Sequence, residues 1–291
     1  MWPSKSPRLL IGILCLIVVG IASGVQAASP ARLSERWLAH DPNSTRRIDH
    51  GDWEAFLTRY VRIGPDNVHR VAYGQVTPAD RSALNSYLAQ LSSTPLKQYN
   101  RTEQLAFWIN LYNALTVRTI LEHYPVASIR DIDISGKRLT TGPWDLPLIE
   151  VEGQALSLND IQSRILWPIW RDPRILYALS CGALSCPNLQ PVPFASERLD
   201  HQLSQAAMAY INDPRCIKME EGQLVVSSLL RWYREDFGGS DRAVINHLMG
   251  FAEPRLAMKL QQFDRIDGDV FDWRLTNEAR AGKVLMRPRR A

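Results

Sequence analysis

The most continuous apolar pattern in the body of the chain begins after Asn100 and ends before Pro125. Asn100 is a good N-cap, and Glu103 follows at the third position, which is typical of the first turn of a helix. Up to about His123 almost every side of the expected helix is apolar, and Pro125 stops it. Because a helix that is apolar all round is normally buried, the pattern predicts a long central helix.

The remaining apolar stretches are shorter and are separated by turn-forming residues. They predict helices at residues 53–61, 77–91, 157–167, 196–212, 227–238, 240–247 and from 254 onward. They predict strands at residues 71–76, 146–151, 154–156, 175–179, 216–219, 223–226 and 271–273, the last at a sheet edge. No internal repeat and no long linker divides the chain. Short strands interspersed among helices predict an α+β fold, a single helix-rich domain around a small, mainly antiparallel sheet.

Two asparagines, Asn110 and Asn113, stand three residues apart on one side of the predicted central helix. An unpaired buried amide costs about 1–3 kcal/mol, so both side chains should hydrogen-bond to something, most naturally the backbone of a neighbouring loop. One hypothesis is that they clamp the loop at residues 181–188 and line a site there. The alternative is a purely architectural network.

Residues 181–188, called the cysteine loop below, follow an apolar run at 175–179 that is expected to form a buried strand. Cys181 would then sit where a rigid strand gives way to a loop, a place where nucleophiles are often displayed. Cys181 is therefore the candidate nucleophile, and Cys186 is a candidate site-lining residue. The alternatives are that the two cysteines form a disulfide or simply pack.

Residues 1–27 have the features of an export signal. Lys5 and Arg8 precede an apolar run, and small residues at its end suit a cleavage site. We therefore expect an exported, periplasmic protein, with an uncleaved membrane anchor as the alternative because the run is nearly long enough to span a bilayer. Cleavage would leave the two loop cysteines and Cys216, an odd number, so at least one thiol would be free or would bridge another molecule.

The formal net charge of +4 comes from the two ends of the chain, and the body between them is slightly acidic. The body of the chain therefore has no excess of positive charge that could bind nucleic acid. The sequence shows no nucleotide-binding loop and no cofactor motif, and the spacing of the loop cysteines is too loose for a zinc site. We expect no cofactor and no metal, and a partner that is a small molecule, a peptide or an envelope component. The membrane would be involved only through an uncleaved first segment.

Several segments together resemble the DUF547 family. They are Asn100-Arg101, residues 106–114 (Ala-Phe-Trp-Ile-Asn-Leu-Tyr-Asn-Ala), Tyr124-Pro125, residues 128–131 (Ser-Ile-Arg-Asp), 157–161 (Ser-Leu-Asn-Asp-Ile), Cys181-Gly182, residues 185–187 (Ser-Cys-Pro) and 232–237 (Trp-Tyr-Arg-Glu-Asp-Phe). The resemblance covers residues 50–275, which would follow an N-terminal extension at 28–49 and precede a basic tail at 276–291. The family has no assigned activity, and proposals that it is a thiol hydrolase imply a papain- or transglutaminase-like scaffold.

The chain departs from the family pattern at three positions that bear on Cys181. Members usually carry Glu and His where this chain has Gln162 and Ser163, and a His where it has Leu176. Gln162 and Ser163 are candidate site-lining residues that can hydrogen-bond, but neither can take a proton from Cys181 at neutral pH.

Two hypotheses therefore stay open. In the first, which we favour, the site has lost its proton-transfer groups and the protein works as a binding or scaffold protein. In the second, it is a thiol-dependent hydrolase or acyl-transfer enzyme that uses Cys181, oriented by Asn110 or Asn113, with an unidentified base. The sequence leaves open whether the protein is an enzyme.

Overall fold

The computed structural model describes residues 35–134 and 142–278. The predicted export signal and nearly all of the predicted basic tail lie outside the described residues. Among the helices of residues 35–134 and 142–278, none combines the length and hydrophobicity that a membrane span requires.

Helices form most of the regular structure, and nine of them lie wholly within the described residues. They are α1 (Gly51–Tyr60), α2 (Pro78–Ser92), α3 (Arg101–His123), α4 (Trp167–Trp170), α5 (Ile175–Ala178), α6 (Leu199–Ile211), α7 (Ser228–Trp232), α8 (Asp241–Phe251) and α9 (Pro254–Leu260). A π-helical segment, Asp160–Leu166, leads directly into α4.

Helix α3 confirms the predicted central helix. The Asn100 side chain accepts a hydrogen bond from the Glu103 backbone N–H at 2.9 Å, as an N-cap should. Of the 23 residues in α3, 18 are buried, which explains why its apolar pattern has no polar face. Helix α2, capped by Thr77 as predicted, packs against α3 and α1. The core is therefore built around a helix.

The strands form three separate small sheets. They are β1 (Val61–Ile63), β2 (His69–Val71), β3 (Ile149–Val151), β4 (Gln154–Leu156), β5 (Ile217–Glu220), β6 (Gln223–Ser227) and β7 (Gly268–Val270). The pairs β1–β2, β3–β4 and β5–β6 are antiparallel, and β7 adds to β6 in parallel. The α+β prediction is confirmed, but in place of one small sheet the described residues contain three, two antiparallel pairs and one mixed three-stranded sheet.

Two of the predicted hairpins are confirmed with their turns. Val151 pairs with Gln154 and Glu220 pairs with Gln223, so each turn has two residues. Both residues of each turn, Glu152-Gly153 and Glu221-Gly222, have positive φ. This is the geometry that matches the twist of the flanking strands, and glycine adopts it without strain.

The predicted strand at residues 175–179 is wrong, since this run forms the short helix α5. Ile175 and Ala178 contact the core around α3, whereas Leu176 and Tyr177 contact a second core formed with α6, β5, β6 and α8. Because the helix lies between these two cores, its four side chains can all be buried, two against each core. A short apolar run does not by itself distinguish this arrangement from a buried strand.

Two other strand predictions are corrected. The predicted strand at 71–76 ends at Val71, and Tyr73–Gln75 form a 3-10 turn. Residues 271–273 do not extend a sheet edge. Instead, the Asp272 backbone exchanges hydrogen bonds with Ser185, so this segment lies against the cysteine loop.

Candidate functional site

The cysteine loop begins directly after α5, and Asn113 of α3 holds its entrance. The Asn113 amide nitrogen donates to the carbonyl of Ala178 at 2.9 Å, and its oxygen accepts from the backbone N–H of Ser180 at 2.8 Å. Asn113, Ala178 and Ser180 are all buried. This side chain therefore satisfies two backbone groups that would otherwise be unpaired where the helix stops.

Asn110 makes an equivalent clamp at a different place. Its amide donates to the carbonyl of Phe194 at 2.7 Å and its oxygen accepts from the Phe194 N–H at 3.0 Å. The two asparagines thus bind the backbone on either side of residues 181–188 and make no hydrogen bond within them. The prediction that both bond to a neighbouring backbone is confirmed, and the predicted clamp on the loop itself is corrected to a clamp on its flanks.

Cys181 and Cys186 form a disulfide, with their Cα atoms 5.7 Å apart. The Cys186 sulfur is buried and accepts a hydrogen bond from the backbone N–H of Ala183 at 3.2 Å. Gly182 has φ +78°, and a Cβ there would lie 2.5 Å from Cδ1 of Ile120, so the loop needs glycine at this position. The remaining cysteine of the described residues, Cys216, is a free and buried thiol, and burial raises its pKa.

Further hydrogen bonds fix the cysteine loop from the other side. The Arg215 guanidinium donates to the carbonyl of Leu184 at 2.9 Å and to the side chain of Asn188 at 3.0 Å. Tyr210 donates its hydroxyl to the carbonyl of Ser185 at 2.6 Å. The loop is therefore held by a network of hydrogen bonds along much of its length.

Cys181 lines a cavity of about 360 Å³, within the usual size range of small-molecule sites. The described residues that line this aromatic cavity are Tyr112, Gly142, Trp144, Asp145, Leu146, Asn159, Gln162, Leu176, Leu179, Cys181, Pro187, Leu229, Trp232, Tyr233 and Trp273. Trp144 and Trp232 each pack against Trp273, whose ring centre lies 5.5 Å from the ring centre of either one. These three residues are called the tryptophan wall below.

A few polar groups interrupt the aromatic surface of the cavity. The Asn159 amide donates to the carboxylate of Asp145 at 2.7 Å. Gln162 and Tyr233 also contribute polar groups to the lining. Burial raises the pKa values of Tyr112 and Tyr233, so both phenols stay protonated at neutral pH.

None of the six histidines, all of which lie in the described residues, lines the aromatic cavity. His50 lies between the Tyr87 hydroxyl and the Asn110 amide, at 2.6 and 3.2 Å. His247 stacks on Tyr177 and lies 3.0 Å from its hydroxyl oxygen. Burial lowers the pKa of both His50 and His247 to about 4, so both are neutral and have structural partners.

Sequence reasoning missed one titratable group beside the cavity. Asp236 lines a smaller pocket that shares Gln162, Leu176 and Leu179 with the aromatic cavity. Burial, followed by the charge of Glu235, raises the Asp236 pKa to about 6. Its place within the Trp-Tyr-Arg-Glu-Asp-Phe segment at 232–237 was the only signal that could have drawn attention to it.

Comparison with known families supplies the remaining observation. Residues 96–211 match the family model described as "Protein of unknown function, DUF547". The chain contains a DUF547 domain. The resemblance is therefore confirmed for this range, which includes α3 and the cysteine loop. No curated protein and no solved structure matches the chain.

Two of the three positions at which this DUF547 domain departs from the usual pattern line the aromatic cavity. Gln162 and Leu176 share the cavity with Cys181, whereas Ser163 is exposed and lies outside the described lining. Asn110 and Asn113 also lie outside the described lining. No group of three or more described His, Cys, Asp or Glu residues has the arrangement of a metal site.

Proposed function

We propose that this DUF547 protein binds a small ligand in the aromatic cavity, and that Cys181 serves there as half of a disulfide and does not act as a nucleophile. The observation that carries the proposal is the composition of the lining: a wall of tryptophans with a few polar groups, and a bonded sulfur with no imidazole beside it. Apolar pockets with a small number of placed polar groups are typical binding sites.

The proton chemistry of the lining also supports binding over thiol catalysis. A cysteine attacks as the thiolate, which needs a nearby base or positive charge. The two phenols have raised pKa values, and Gln162 and Leu176 cannot accept a proton at neutral pH. The one carboxylate in the described lining, Asp145, carries a negative charge, and a negative charge disfavours a thiolate.

The alternative function is a thiol-dependent hydrolase or acyl-transfer enzyme that acts after reduction of the disulfide. One observation favours it: Cys181 is the partly exposed partner of the pair and lies at the cavity surface, while Cys186 is buried. The papain- or transglutaminase-like scaffold that would accompany this activity remains a prediction of the resemblance.

We also propose that the protein is exported, with residues 1–27 as its signal peptide. The basic, apolar and small-residue order of this segment supports export. A disulfide between Cys181 and Cys186 is the kind of bond that persists in an oxidising compartment.

Peptide mapping with and without reductant tests the proposal. The native protein is treated with iodoacetamide, digested without reductant and analysed by mass spectrometry. We expect a peptide pair linked through Cys181 and Cys186, with Cys216 alkylated only after denaturation because it is buried. Rapid alkylation of Cys181 in the untreated protein isolated from its native compartment would contradict the proposal.

A further inference from the structure

We propose that the ligand of the aromatic cavity is a neutral oligosaccharide, with one sugar ring stacked on Trp232 and its hydroxyls bonded to the Asp145–Asn159 pair. This inference rests on the binding function proposed above and names the class of ligand. Three features of the cavity carry it: the tryptophan wall, the polar groups beside the wall and the charge of the lining.

Within the tryptophan wall, Trp232 offers an exposed indole ring to the cavity. Trp232 stacks on Trp273 with an angle of 23° between the ring planes, and its side chain is still 51% exposed. An exposed ring of this size within a larger aromatic patch is a mark of a binding surface. The C–H face of a pyranose ring with equatorial hydroxyls is flat and apolar, so it complements an indole face.

The polar groups of the cavity suit the edge of a sugar ring. Asp145 and Asn159 are hydrogen-bonded at 2.7 Å, so a carboxylate and an amide lie side by side. Such a pair offers both acceptors and a donor to neighbouring hydroxyls, whereas a wholly apolar ligand would bury these groups without new partners. Gln162 adds a second amide to the lining.

The charge of the lining favours a neutral ligand. The described lining contains one carboxylate and no lysine or arginine, so a phosphate or carboxylate ligand would face Asp145 without a basic partner there. A cation would be disfavoured on the Trp273 ring, because the Arg130 guanidinium, which lies outside the described lining, already covers that ring at 5.0 Å. A sugar without charge meets neither penalty.

Titration calorimetry and tryptophan fluorescence on the purified protein test the proposal, with cellotetraose and tetra-N-acetylchitotetraose as probes. Choline and benzoate serve as cationic and anionic probes. We expect at least one oligosaccharide to bind at micromolar to millimolar concentration. Replacing Trp232 with alanine should weaken this binding by about tenfold or more, whereas Trp170→Phe, outside the described lining, should leave it unchanged.

Asp145→Ala provides a second variant should Trp232→Ala fail to fold, because Asp145 is exposed and its loss should not affect folding. It should weaken oligosaccharide binding severalfold. Binding of choline or benzoate without either oligosaccharide would overturn the carbohydrate proposal and leave the binding function standing. Absence of binding by all four probes, or equal binding by the wild type and Trp232→Ala, would also overturn it. Rapid alkylation of Cys181 would instead count against the proposed function alone.

Discussion

Replacing Asn113 with alanine should release the entrance of the cysteine loop and destabilise the whole protein. The change removes two hydrogen bonds, at 2.9 and 2.8 Å, and leaves the carbonyl of Ala178 and the N–H of Ser180 buried without those partners. Each unpaired buried group costs about 1–3 kcal/mol, so the two together should lower the free energy of unfolding by about 2–6 kcal/mol.

Urea unfolding followed by circular dichroism measures this loss, with the disulfide intact in both proteins. Asn85→Ala is the matched control, since Asn85 is an exposed residue of α2 and its replacement should change the free energy of unfolding by about 0.5 kcal/mol or less. Amide hydrogen exchange adds a local reading, because the Ser180 N–H should exchange faster in the variant. A loss below about 1 kcal/mol for Asn113→Ala, with unchanged exchange at Ser180, would refute the reasoning.

Three further predictions concern the cysteine loop, the aromatic cavity and His50. Gly182→Ala should lower the melting temperature more than Gly222→Ala does. Both glycines have φ +78°, but only a Cβ at position 182 would meet a side chain, 2.5 Å from Cδ1 of Ile120. Equal decreases in melting temperature, measured by calorimetry, would contradict this prediction. Leu176→His places an imidazole in the cavity, so in the reduced protein it should lower the pH midpoint of Cys181 alkylation by about one unit or more. An unchanged midpoint would show that positions 176 and 181 do not interact. The folded-state pKa of His50, about 4, lies below its unfolded value of 6.5, so its contribution to stability is complete above pH 6.5 and is lost as the pH falls towards 4. In urea unfolding, the free energy of unfolding of His50→Gln should therefore depend less steeply on pH between 6.5 and 4 than that of the wild type. Identical slopes would contradict the assignment.

The parts of the fold that sequence could predict are those set by local signals. Asn100 and Pro125 mark the ends of α3, and the paired Glu-Gly turns mark two hairpins. The run at 175–179 lacked such a signal. Its helical state depends on two cores that come together from distant parts of the chain.

The candidate site was only partly predictable for the same reason. The motif cysteines and the altered positions Gln162 and Leu176 could be identified from the resemblance. The tryptophan wall could not, because Trp144, Trp232 and Trp273 are far apart in sequence and are brought together only by the tertiary fold. Likewise, the exclusion of all six histidines from the cavity lining depends on tertiary packing, which no local pattern encodes.

The most direct test of the account is the rate of Cys181 alkylation as a function of pH in a Cys186→Ser variant, which frees the Cys181 thiol. Iodoacetamide labelling is followed at the level of the Cys181 peptide, so the buried Cys216 does not interfere. We predict a midpoint at about pH 8.5 or above, because nothing in the described lining stabilises a thiolate. A midpoint below about pH 7.5 would show that Cys181 is activated and would contradict the non-catalytic role.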